Sequence, residues 1–146
     1  MEEQLEIQRH FRSSQEKYVY YLISLCVSAI GFSIYITLNK TLSYIMLPLG
    51  LSILAWSLSI INGFKFIELI LSILRVNNNY FEVLKGNNPI SGTDPQKIKI
   101  GVEFLMEEME KGGMIAKKRY QSQYVFFVIG MASFLVWHIL ELLIKT

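Results

Sequence analysis

Apolar residues fall along this chain in three long, nearly charge-free stretches, residues 18–37, 44–63 and 124–144, between which charge returns at helical spacing. At about 1.5 Å of rise per residue, a helix of about 20 apolar residues covers the ~30 Å hydrocarbon core of a bilayer. A soluble domain of 146 residues has no interior in which to hide three such helices. The pattern therefore predicts an all-α protein with three transmembrane helices and helical extensions, whose first partner is the lipid bilayer. The connection over residues 38–43 is so short that the first two spans must form an antiparallel hairpin. Either Thr41 or Ser43 can serve as N-cap there, and Pro48 is tolerated in the first turns.

Between the second and third spans the periodicity changes. In residues 64–76, Lys65, Glu68, Ser72 and Arg75 recur at steps of three and four, which places them on one helical face. This predicts an extension of the second helix, running through Asn77-Asn78-Asn79 to a stop near Gly86. Its other faces, among them Phe66, Leu69, Ile70 and Ile73, are too apolar for water and must be covered by the chain itself or by neighbouring subunits. Turn chemistry follows, and Thr93-Asp94-Pro95-Gln96 predicts a new helix with a capping box from Thr93 to Gln96. In that helix Ile98, Val102, Leu105 and Met109 form an apolar stripe, with Lys99/Glu103 and Glu107/Lys111 paired outside. Gly112-Gly113 is expected to end it, as a plain C-cap or as a hinge. The predicted layout is a cytoplasmic amphipathic helix (1–17) continuing into a transmembrane hairpin (18–63), a cytoplasmic helical region (64–123, hinge at 112–113) and the third transmembrane helix (124–144).

Charge sets the orientation. Of the Lys and Arg residues, three precede the first span, one (Lys40) lies in the hairpin loop, nine lie between the second and third spans, and one follows the third. The positive-inside rule then puts the N-terminus and the middle segment in the cytoplasm and the C-terminus outside, in a multi-pass protein of the inner membrane. Tyr18, Tyr20, Tyr21, Tyr44 and Tyr124 fall at headgroup level as interfacial anchors. The first span is too long for a signal-peptide h-region and lacks a cleavage site. The chain is 52% hydrophobic, and its formal charge of +2 is too small for a general polyanion binder. The one cysteine, Cys26, lies in the first span, which excludes a disulfide framework or thiol cluster.

No catalytic constellation is visible. The histidines, His10 and His138, lie at opposite ends of the chain, and there is no phosphate loop, metal-ligand spacing or nucleophile motif. No enzymatic activity, cofactor or metal is expected. His138 and Glu141, near the outer end of the third span, are either anchoring residues or an ion or proton site.

Two features carry functional expectation. The first is a polar stripe along the second helix: Ser52, Ala55, Ser59 and Asn62 within the membrane, then Lys65, Glu68, Ser72 and Arg75 beyond it. A helix packed by its small polar face looks like this, and so does one lining a narrow aqueous path. Ser52, Ser59, Asn62, Lys65, Glu68, Ser72 and Arg75 are thus the pore-lining candidates. Further small-residue surfaces occur at Ser24, Ser28 and Gly31 and at Gly130 and Ser133. Three spans cannot enclose a pore, so a channel requires a homo-oligomer. The second feature is the basic-aromatic run over residues 117–124. Lys117, Lys118, Arg119, Tyr120 and Tyr124 serve either as topogenic charge or as a site for anionic lipid headgroups or a nucleotide or oligonucleotide ligand on the cytoplasmic face.

With three spans, a compact cytoplasmic helical part and the run 117–124, the chain resembles in layout the small multispan effectors of bacterial antiviral systems, including ligand-controlled channel effectors of the Hailong type. The resemblance implies arrest or killing of the infected cell by depolarisation, regulated from the cytoplasmic face; no residue's role is carried over from it. The expected function is a homo-oligomeric ion channel or membrane-permeabilising effector, gated by such a ligand. The alternatives are a non-conducting accessory subunit or scaffold that docks a partner through its cytoplasmic helices, and a holin-like lysis protein.

Overall fold

A computed structural model describes residues 2–40, 43–88 and 92–145, with side chains for residues 13–40, 43–88 and 92–144. The described residues contain no strand. Helix α1 spans Glu2–Thr37, a 3-10 turn covers Tyr44–Met46, α2 spans Leu47–Leu84 and α3 spans Pro95–Lys145. All three helices are long and apolar enough to cross a membrane. The N-terminal segment and the first span are one unbroken helix, which the absence of Pro or Gly between them permits.

The chain divides into two compact units, residues 1–64 with 120–146 and residues 65–119. In the first unit the three helices pack along seven-residue repeats: Val19, Cys26 and Ser33 on α1, Ser52 and Ser59 on α2, and Gln123, Gly130 and Trp137 on α3 are all buried. A repeat of seven, shorter than two turns at 3.6 residues, is the geometry of left-handed helix packing. The unit carries polar groups inside, beside buried apolar residues such as Leu22 and Trp56, and is apolar on its surface. Ser33, Ser52, Ser59, Asn62 and Gln123 are buried, while Leu25, Phe32, Leu51, Leu54, Val125, Val136 and Ile139 are exposed. Water would invert this distribution; a hydrocarbon solvent permits it, because there polar groups gain by meeting each other.

Two glycines make the close packing. A Cβ on Gly63 would lie 2.6 Å from Gln123 Nε2, and one on Gly130 would lie 2.4 Å from Trp56 Nε1, inside the indole ring. Trp56, Phe134 and Phe32 continue this contact as an aromatic series, with ring centroids 5.8 Å and 6.5 Å apart. At the opposite end of the unit, Lys40 of the hairpin loop bonds Glu141 of α3 and lies 5.1 Å above the Trp137 ring. Glu141 of the His138/Glu141 pair thus meets Lys40.

In the second unit α2 ends as expected. Gly86 adopts φ 69°, its N–H bonds Val83 O at 3.0 Å, and Asn87 N–H bonds Glu82 O at 3.0 Å, which is a Schellman cap. The stripe Ile98, Val102, Leu105 and Met109 is half-buried, and Phe66 and Val83 of α2 are buried. The expected cover for the apolar extension of α2 therefore comes in part from the chain itself, while Leu71, Leu74 and Phe81 remain exposed.

Two local expectations are corrected. The helix does not end at Gly112-Gly113, because α3 runs through both. Gly112 instead permits close approach: a Cβ there would lie 3.0 Å from Ile73 Cγ1. The cap of α3 is Asp94, whose Oδ1 accepts from Gln96 N–H at 3.0 Å, and not Thr93; Asp94 directly precedes the helix, and because Pro95 has no N–H, Gln96 carries the first free donor. Ser43 takes the extended N-cap position of the 3-10 turn without a side-chain bond. Thr41 and the side chains of residues 1–12, including Leu5, Ile7 and Phe11, lie outside the described residues.

Candidate functional site

The polar stripe of α2 divides into two environments. Within the first unit, Ser52 Oγ donates to Leu49 O at 2.7 Å, Asn62 Nδ2 to Leu58 O at 2.8 Å, and Ser59 Oγ crosses to Gln123 O of α3 at 2.8 Å. Gln123 then reaches α1, its Nε2 donating to Val19 O at 3.3 Å. One amide residue thereby ties three helices at one level. Two buried polar atoms, Gln123 Oε1 and Trp56 Nε1, have no hydrogen-bond partner among the described residues. In this conformation Ser52, Ser59 and Asn62 face the interior of their own three-helix unit.

The second environment lies in the unit of residues 65–119. Lys65, Glu68, Leu69 and Ser72 recur at helical spacing on α2 and meet Ile115 and Arg119, one turn apart on α3, around a cleft of about 350 Å³. Two cations, a carboxylate and a hydroxyl thus share an open cavity with two aliphatic walls. Arg119 is half-buried, and Lys65, Glu68 and Ser72 are exposed. The structure brings together residues drawn from both sequence-derived groups: three of the stripe and one of the basic-aromatic run.

The remaining candidates stand apart from that cleft. Arg75, Lys117 and Lys118 are exposed and do not line it. Tyr120 packs against Tyr18, with ring centroids 6.0 Å apart, and Tyr124 is exposed. Among the described residues no three His, Cys, Asp or Glu side chains gather as a metal site requires.

Sequence reasoning missed Gln123, Leu69 and Ile115. Gln123 carried one signal, its place seven residues before Gly130 and fourteen before Trp137. Leu69 and Ile115 look like any other apolar helix position, and only the meeting of α2 with α3 identifies them as walls. Compared with protein-family models, curated proteins and solved structures, the chain gives no match.

Proposed function

We propose that the chain is a homo-oligomeric membrane channel or membrane-permeabilising effector, closed in the conformation described above and regulated by a ligand on its charged, cytoplasmic side. The observation that supports this reading most is the polar seam inside an apolar-surfaced unit, with Trp56 Nε1 and Gln123 Oε1 unpaired among the described residues. A buried polar atom without a partner costs about 1–3 kcal/mol. A state in which the seam meets water removes that cost, so the seam is the part of the molecule with most to gain from opening. Three helices do not enclose a path, and the exposed small face of Ser24, Ser28 and Gly31 suits close association between copies. The layout shared with small antiviral effectors extends the reading to depolarisation of the cell.

The test is the symmetry of the protein in lipid nanodiscs together with ion flux from loaded liposomes. A ring with flux, and a fall in membrane potential when the protein is expressed in bacteria, is the expected result. A monomer without flux under every ligand tried sinks the reading.

The bonds that Ser52 and Ser59 make inside their own chain favour a second reading, an accessory subunit or scaffold in which the seam only packs helices. Ser59→Ala and Asn62→Ala separate the two. In a channel they change conductance or ion preference while the oligomer survives; in a scaffold they only weaken assembly.

A further inference from the structure

We propose that the cleft formed by Lys65, Glu68, Leu69, Ser72, Ile115 and Arg119 binds a phosphate ester carrying vicinal hydroxyls, with Lys65 and Arg119 on the phosphate and Glu68 and Ser72 on the hydroxyls. This names a site and ligand class for the regulation proposed above, but binding itself does not rest on conduction.

The argument begins with depth. Lys65 lies two residues beyond the end of the second apolar stretch at 63, and Arg119 lies five residues before Tyr124. At about 1.5 Å per residue those offsets are about 3 Å and about 8 Å, the same scale as the about 5–8 Å of headgroup layer on one side of a bilayer. Both cations of the cleft therefore stand where phosphate is most concentrated. An Arg fork and a Lys point charge, supplied by different helices, are a phosphate-binding pair.

Glu68 makes the site selective. A carboxylate that shares the cleft with two cations repels a bare anion, so inorganic phosphate is a poor occupant. A ligand whose phosphate is followed by adjacent hydroxyls offers donors to that carboxylate, and Ser72, one turn farther along the same face of α2, extends the polar wall. Leu69 and Ile115 supply apolar walls for the carbon skeleton, and about 350 Å³ suffices for a headgroup or a mononucleotide. Two sources carry this chemistry: the glycerol headgroup of phosphatidylglycerol, entering from the bilayer, and the ribose 5′-phosphate of a soluble nucleotide.

The test uses the full chain in phosphatidylcholine nanodiscs doped in parallel with phosphatidylglycerol, phosphatidic acid or phosphatidylserine, with retained lipid read by native mass spectrometry. In a separate arm, 5′-AMP is titrated into undoped discs, with the melting temperature as readout. The expected result is retention of phosphatidylglycerol about tenfold above phosphatidic acid and phosphatidylserine, or a saturable stabilisation by 5′-AMP; in either arm the effect is lost in Lys65→Ser/Arg119→Ser. The charge-matched control Lys85→Ser/Lys99→Ser, in the same unit but off the cleft, keeps it. Glu68→Gln, a near-isosteric change that leaves the fold intact, raises phosphatidic acid retention and erases the preference for the diol. Retention confined to phosphatidylglycerol identifies the lipid as the source, and stabilisation confined to 5′-AMP identifies a soluble ligand. Binding that is equal in the Lys65/Arg119 variant and the parent, or a parent that prefers phosphatidic acid, overturns the proposal. None of these readouts measures flux, so a non-conducting protein that binds as expected defeats the channel reading and leaves the site standing.

Discussion

At the scale of single residues, the first unit depends on small side chains placed opposite large or polar ones. Gly130 accepts the face of Trp56, and an alanine there drives its methyl into the ring, since the Cβ would lie 2.5 Å from Cδ1. Over-packing of this kind costs about 1–3 kcal/mol. Gly130→Ala is expected to lower the melting temperature in detergent, and Gly130→Ala combined with Trp56→Leu to regain part of the loss. Gly31→Ala, where nothing lies within 4 Å, is expected to leave the isolated subunit unchanged. Ser59→Ala removes a hydroxyl bonded across helices; such bonds contribute about 0.6 kcal/mol on average and seldom above about 2 kcal/mol in membranes. Gln123→Leu removes the bond to Val19 and at the same time the unpaired Oε1, so its net effect on stability in a detergent unfolding titration is expected to be smaller than that of Gly130→Ala.

Elements are decided mostly by their ends. Gly86 sits at φ 69°, where a side chain costs about 1–2 kcal/mol, so Gly86→Ala is expected to increase hydrogen exchange over the last turn of α2 without altering the first unit. Asp94→Ala, which removes the cap of α3, is expected to do the same at residues 95–98, at about 1 kcal/mol. On the exposed side of α3, Lys111 Nζ lies 2.7 Å from Glu107 Oε1. The hydrogen bond from Lys111, and then its charge, lower the Glu107 carboxyl below the ordinary glutamate range. A lowered folded value means that the pair's contribution is present above the ordinary carboxylate range and is lost as pH falls through the lowered value. Both side chains are exposed, so a carboxyl titration by NMR is expected to show a depressed midpoint for Glu107 that salt or Lys111→Gln returns toward normal.

At the scale of the whole molecule, the dominant fact is the solvent in which the first unit lives. In the most apolar window of α3 only 11% of residues are buried inside the chain. The rest turn all or part of their surface outward, to lipid or to other copies of the chain, which is why the oligomeric state in a bilayer is the property on which the functional reading turns. A detergent screen is expected to show aggregation whenever the micelle is stripped below the critical concentration, because side chains such as Phe32, Leu54 and Ile139 then meet water.

The sequence alone determined the class of the molecule, the number of apolar helices, the hairpin, the reach of α2 to Gly86 and the start of α3 near Pro95. These follow from local rules: a run long enough for hydrocarbon, a period of three and four, a glycine free to turn, a proline that fits a first turn. What local rules do not contain is the partner of each face. Gly112-Gly113 reads as a helix end by propensity, yet α3 continues through both, with Gly112 packed closely against Ile73. Ser52, Ser59 and Lys65 belong to one stripe in the sequence, and all three are equally candidates to line a path. Only tertiary structure assigned the first two to a packed interior with Gln123 and the third to an open cleft with Arg119. The reason is that a helix's own period fixes which residues share a face, whereas the residues that face them come from elsewhere in the chain and are settled by how α1, α2 and α3 pack.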